Sequence, residues 1–203
     1  RRNSMKRLLI LVLLISIACT GVLAAQENNN GGLEPLMAPG DFAVTAGLGY
    51  GFFWGAIDVS GGVELILSRY DLGGELPLTF GVAGKVNYYR LDNDNWWGDY
   101  KETYFGGGGF GTVHLGLKEL NLDENMQWLA NVDTYVGLGI GFYSYTNEYF
   151  DDYLSSDYDK FEIGLRSTAG VNYFLTPNVA INFEGGYYGG WGGGGLIGVL
   201  VKL

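Results

Sequence analysis

One cysteine, one histidine and twelve basic residues are all that 203 positions hold of three chemistries. Cys19 sits in the N-terminal apolar stretch, so the remainder of the chain has no thiol and no disulfide to stabilise it. Twelve Lys and Arg against 22 Asp and Glu give a net charge of −10. The balance becomes more negative still without Arg1, Arg2, Lys6 and Arg7, which excludes nucleic acid as a partner. The apolar run at residues 8–18 falls short of the roughly 20 residues that a spanning helix needs. A lone histidine, His114, offers little to a hydrolase, because no serine or acid is placed beside it by sequence. Calcium is disfavoured too. In DNDNWWGD the acids Asp92, Asp94 and Asp99 resemble an EF-hand start, but Trp96 and Trp97 stand where that loop needs an oxygen ligand and a glycine. No enzyme, cofactor or metal is expected.

What the chain has in plenty is glycine and aromatic residues: 35 Gly, 15 Tyr, 11 Phe and 5 Trp. Average usage of about 7% would give about 14 glycines, and there is no collagen triplet, so the excess reads as closely approaching strands. The N-terminus reads separately. Residues 5–25 have a basic start (Lys6, Arg7), an apolar run and small residues Val22, Ala24 and Ala25, the pattern of a secretory signal peptide cleaved after Ala24 or Ala25. Residues 1–4 precede Met5 and read as a gene-call extension. Cys19 follows Ala18 as a lipid-attachment cysteine would, but Ser16 stands where such sites usually carry leucine, so Cys19 reads as a discarded leader residue. Residues 26–40, polar, Asn- and Gly-rich and holding two prolines, read as a flexible lead-in. The fold is expected over 41–203, as one domain.

Its strongest signal is WLANVDTYVGLGIGFYSY, residues 128–145. Trp128, Ala130, Val132, Thr134, Val136, Leu138, Ile140 and Phe142 point one way, and Asn131, Asp133, Tyr135, Gly137, Gly139, Gly141 and Tyr143 the other, the period of two that a strand imposes. A membrane strand needs roughly 9–11 residues with apolar side chains toward lipid and polar or small ones inward. The same alternation recurs over 42–52, 57–67, 78–90, 103–117, 161–173, 179–188 and 197–203, giving eight strands. An even number of antiparallel strands closes without an edge, as lipid demands. With both ends periplasmic, residues 69–76, 118–125 and 176–178 are periplasmic turns, and 54–55, 91–102, 146–160 and 189–193 are external. The two longest connections then fall outside. The expected fold is all-β, an eight-stranded antiparallel up-and-down transmembrane barrel. Trp54, Trp96, Trp97, Tyr104, Phe105, Phe142, Tyr187 and Trp191 are expected at the outer interface, and Phe42, Tyr70, Trp128 and Tyr173 at the inner one.

On this pattern of a leader, eight alternating segments and a last strand of alternating apolar residues, residues 41–203 resemble the small outer-membrane β-barrel proteins. That group includes outer membrane protein X and the membrane domain of outer membrane protein A. The resemblance implies the bacterial outer membrane, outer-membrane lipid around the wall, and the barrel-assembly machinery as a partner during biogenesis.

Inward positions are expected to carry a polar structural network of Asp58, Glu64, Lys85, Asp133, Glu162, Arg166, Asn172, Asn182 and Glu184. If residues 176–178 turn tightly, Asn172 lies opposite Asn182, with Asp133 beside them. His114 reads as a hydrogen-bonding lumen or rim residue. An eight-stranded interior is wide enough only for side chains to fill, so a plugged monomeric barrel is expected. Its external loops would meet an extracellular or host partner through Trp96, Trp97, Asp99, Tyr149, Phe150, Asp151, Asp152 and Tyr153. The alternatives are a narrow porin-like pore and a soluble lipocalin-like barrel whose oily face would point inward.

Overall fold

The computed structural model describes residues 36–49, 56–72, 76–95, 98–120, 123–151, 154–187 and 195–203. Eight strands form a closed barrel in sequence order: β1 (Phe42–Gly49), β2 (Ile57–Leu72), β3 (Leu76–Asn95), β4 (Gly98–Gly116), β5 (Val132–Asp151), β6 (Leu154–Thr176), β7 (Val179–Tyr187) and β8 (Gly195–Lys202). Every neighbouring pair is antiparallel, and β1 closes on β8 through seven pairs from Ala43↔Lys202 to Gly49↔Leu196. Glycine makes that seam possible, since a Cβ on Gly198 would lie 2.4 Å from the Ala46 carbonyl oxygen. Closure leaves no strand of the barrel without a partner on either side, as a lipid-embedded sheet requires.

The alternation sorts the side chains as lipid would. Val63, Leu65, Val82, Val86, Val136, Leu138, Ile140, Phe161, Ile163, Leu165, Val171 and Phe183 are exposed on the outer wall, while Glu64, His114, Asp133, Arg166, Asn172, Asn182 and Glu184 are buried inside. This polarity is the reverse of a lipocalin-like barrel and removes that alternative. On β6 the apolar face runs from Phe161 to Val171. Ten rises of about 3.4 Å each, tilted by about 40°, make a band about 26 Å tall, close to the 25 Å of barrels in membranes. Phe105, Phe142 and Phe161 lie side by side at one edge of it, with centroids 5.7 and 6.1 Å apart. Tyr104, expected in that girdle, faces inward instead and stacks on Tyr143 at 5.5 Å.

Three expectations are corrected. Residues 91–102 and 146–160 are not irregular loops: the β3–β4 ladder continues to Asn95↔Gly98 and the β5–β6 ladder to Asp151↔Leu154. Beyond lipid both faces of a hairpin meet water, so the oily-polar alternation vanishes while backbone pairing goes on. Residues 128–131 belong not to β5 but to a 3-10 helix, Glu124–Asn131; β4 ends at Gly116, opposite Asp133, so it offers these residues no partner on that side. A shorter 3-10 turn, Leu117–Glu119, precedes it. Finally, the packed structure begins before Asp41. Leu36 and Met37 are buried with Ala43, Ile66, Phe174, Ala180 and Leu200, closing the barrel end at which β1 starts and β8 finishes. The segment is tied down by Lys202, which donates to the Leu36 carbonyl at 2.8 Å and to Asp41 at 2.9 Å, and by Gly40 N–H to the Ile66 carbonyl at 2.8 Å. Gly40 turns the chain there with φ +95°, open to glycine at no steric cost. The leader and the connections at 54–55 and 189–193 lie outside the described residues.

Candidate functional site

Inward positions on six strands are joined in one run of hydrogen bonds. Thr112 donates to Glu64, and His114 lies between carboxylates, Nε2 2.9 Å from Glu64 and Nδ1 2.9 Å from Asp133. Asn172 donates to Asp133 at 2.9 Å, and Asn182 donates to Asn172 at 2.7 Å and to the Tyr135 hydroxyl at 3.1 Å. Glu184 then accepts from both Tyr135 and Lys85. Register places them: Asn172 pairs with Asn182 and Asp133 with Asn172, since the turn at 176–178 is tight. His114, Asn172, Asp133 and Asn182 are at most 1% exposed. Buried polar groups at this depth persist only when hydrogen-bonded, and a connected network stiffens the interior. An imidazole with a carboxylate on each nitrogen is satisfied either as imidazolium or with one carboxyl protonated.

Tyr135 is the centre of that layer. Its ring stacks on His114 at 5.2 Å and carries Lys85 Nζ 4.9 Å from its centroid. The ring lies over Gly170, where a Cβ would come within 2.5 Å of it. A side chain at 170 would evict the ring, which accounts for this glycine.

The other inward residues divide by height. Arg166 is buried, with its guanidinium 5.4 Å from the Tyr143 ring and Nη1 donating to the Leu165 carbonyl at 3.0 Å. Asp58 is half-buried over Gly49. Glu162 is not part of the buried network: it lies at the rim, 45% exposed, pairing with Lys160 at 2.6 Å and accepting from Tyr143 at 2.8 Å. Sequence missed His114 as the link between two acids, along with Thr112 and Tyr135 as donors. The signal was parity, since Thr112 and His114 share a phase, but glycines 106–109 and 111 blur it.

Beyond the Phe105–Phe142–Phe161 row, β3, β4, β5 and β6 rise as a four-stranded sheet while β7, β8 and β1 have no paired residues at that height among the described ones. Over residues 88–95, 98–104, 145–151 and 154–162 nine acids face three bases, Arg90, Lys101 and Lys160. Each base pairs with an acid: Arg90 with Asp92 at 3.1 Å, Lys101 with Glu148 at 2.7 Å, and Lys160 with Glu162. Of the residues expected to make contacts, Asp99, Tyr149, Phe150 and Asp151 lie on these strands near the hairpin tips. Trp96, Trp97, Asp152 and Tyr153 fall outside the described residues.

No family model and no curated protein matches the chain. Among solved structures it is similar to Ail, the attachment invasion locus protein of Yersinia pestis, at 14% identity over 81% of this chain and 99% of that one, with TM-score 0.46. It is similar also to Neisserial surface protein A (18% identity, 80% and 94%, TM-score 0.37) and to the outer membrane enzyme PagL (11%, 80% and 97%, TM-score 0.40). This chain is an eight-stranded transmembrane β-barrel, apolar on its outer wall and filled with hydrogen-bonded polar side chains.

Proposed function

We propose that this is an integral outer-membrane protein, delivered by a cleaved N-terminal signal peptide, that acts without catalysis by presenting its projecting sheet to partners outside the cell. The observation that supports this reading most is the asymmetry of the wall. Four strands continue past the lipid edge as a paired, acidic, aromatic-rich surface, and rigid scaffolds commonly carry recognition on such elements. The interior supports it from the other side, because a lumen of this strand number holding Tyr135, Lys85, Arg166 and the Glu64–His114–Asp133 group has its space taken by side chains. On this reading both termini and the Leu36–Met37 plug face the periplasm, and the acids bias partners toward cationic surfaces.

Replacing 91–102 and 146–160 with short Gly-Ser turns tests it. The shortened barrel is expected to fold and insert, and to lose salt-sensitive adhesion of whole cells to candidate partners. Equal adhesion by the shortened barrel would refute the recognition role. Steady conductance in planar bilayers would favour the pore instead, and recovery of the mature chain in the soluble periplasm would refute the location.

A further inference from the structure

We propose that Glu102, Asn147 and the tyrosines around them form a binding site for a primary ammonium group on the inner face of the projecting sheet. The site deepens the recognition reading above and rests on it. Register builds it. Glu102 on β4 stands directly opposite Asn147 on β5. Tyr100 and Tyr104 lie two residues to either side of Glu102 on the same face. Tyr89 pairs with Tyr104 from β3, and Tyr145 pairs with it from β5, so both are diagonal to Glu102 and within reach of aromatic side chains. Tyr104 is buried and forms the floor, while Tyr89, Tyr100 and Tyr145 are half-buried walls.

Three observations point to the ligand. First, Glu102 has no basic partner among the described residues. The sheet's three bases are held by Asp92, Glu148 and Glu162, and among the described residues the Glu102 carboxylate is met by neutral hydroxyls, that of Tyr100 at 3.1 Å and that of Tyr145. Second, the Asn147 side-chain oxygen is buried without a hydrogen-bond partner. A buried acceptor left unmade is costly, and an incoming N–H would remove that cost. Third, tyrosine rings attract cations through their faces. Burial, and next the Glu102 charge, push the Tyr100 hydroxyl above its ordinary range, so the negative potential at this spot is felt by its neighbours. A carboxylate needing a cation, an amide oxygen needing a donor and a surround of rings together describe an ammonium that carries N–H groups. A quaternary ammonium would satisfy the rings but not Asn147.

The source of such a group is either a small diamine or a lysine side chain of a peptide. Titration calorimetry of the whole folded barrel in octyl glucoside, which carries no ammonium, distinguishes them with 1,5-diaminopentane in one arm and acetyl-Gly-Lys-Gly-amide in the other. Saturable binding of either is expected, with the tighter arm identifying the source. Tetramethylammonium should bind at least about tenfold more weakly, and pentanol not at all. Glu102→Gln should weaken binding by about tenfold or more and Asn147→Ala by several-fold, while Tyr145→Phe, which keeps the ring, should retain most of it. Heat-dependent gel mobility establishes that each variant is folded, and Tyr145→Leu replaces Glu102→Gln should the latter not fold. Absence of binding in both arms, equal binding of tetramethylammonium, or full binding by Glu102→Gln would overturn the proposal. Cells carrying Glu102→Gln separate it from the broader reading: retained adhesion with lost amine binding leaves the recognition role standing through another part of the sheet.

Discussion

His114→Leu is the substitution that the interior resists most directly. The imidazole has no exposure and lies 2.9 Å from each of two buried carboxylate oxygens. Leucine fills comparable space but donates nothing, so Glu64 and Asp133 each lose a partner. A hydrogen bond to a charged group contributes about 1.5–3 kcal/mol, and breaking a buried ion pair from one side costs about 3–5 kcal/mol. Both acids keep one donor, Thr112 for Glu64 and Asn172 for Asp133, which places the expected loss at about 3–5 kcal/mol rather than at the sum of two broken pairs. Urea unfolding of vesicle-inserted protein, followed by tryptophan fluorescence, should show a lower midpoint with an unchanged slope. Adding Glu64→Met should recover part of the loss, since it removes one of the stranded charges. A loss below about 0.5 kcal/mol, within the range of an ordinary surface change, would refute the idea that His114 links the two acids.

Gly170→Ala should destabilise by about 1–3 kcal/mol through overpacking, because the new Cβ meets the Tyr135 ring at 2.5 Å; the loss should be less than additive with Tyr135→Leu, read from the same unfolding curves. Lys202→Ala removes the ties to Leu36 and Asp41, and faster amide exchange at Gly40, by about fivefold or more, is expected from losing about 1–2 kcal/mol of charge-assisted bonding. Raised in the folded protein by burial and by Glu102, the ionisation of Tyr100 gives a contribution that is complete below the unfolded value of about 10 and is lost as pH rises beyond it. Tyrosinate absorbance should therefore show a late-titrating hydroxyl that Tyr100→Phe removes, while the stability difference between the two proteins stays flat below about pH 10 and shrinks above it.

The parts of the fold that were readable in sequence are those where lipid imposes a chemical contrast. Val136, Leu138 and Ile140 alternate with Gly137, Gly139 and Gly141 because one face meets acyl chains and the other a crowded lumen, and that contrast alone yields eight strands and their order. Where both faces meet water the contrast disappears, so the hairpin ends over 91–95, 98–102, 146–151 and 154–160 read as loops although their ladders are continuous. The link that His114 makes between two acids was hidden for a different reason. Glycines 106–109 carry no side chain to report phase, and the partners of His114 lie 50 and 19 residues away in sequence. Asp133, Asn172 and Asn182 were easier because a single tight turn set their register. Leu36 and Met37 follow no period and precede a proline, so nothing local announces that they fill the barrel's end; that depends on Phe174, Ala180 and Leu200, which arrive much later in the chain.

The β1–β8 seam carries a consequence for how the chain reaches its native state. Every other ladder joins strands that follow one another, but here residue 43 must find residue 202, and contacts so distant in sequence are slow to form. The first strand synthesised therefore stays unpaired on one side until the last is available, and its exposed backbone is open to the wrong neighbour for all of that time. Gly47 and Gly198 stand opposite each other in that ladder, so the join offers few interlocking side chains to guide register and depends on backbone bonds alone near its middle. A barrel of this kind is expected to be most sensitive, during its biogenesis, to whatever shields residues 42–49 before residues 195–202 emerge.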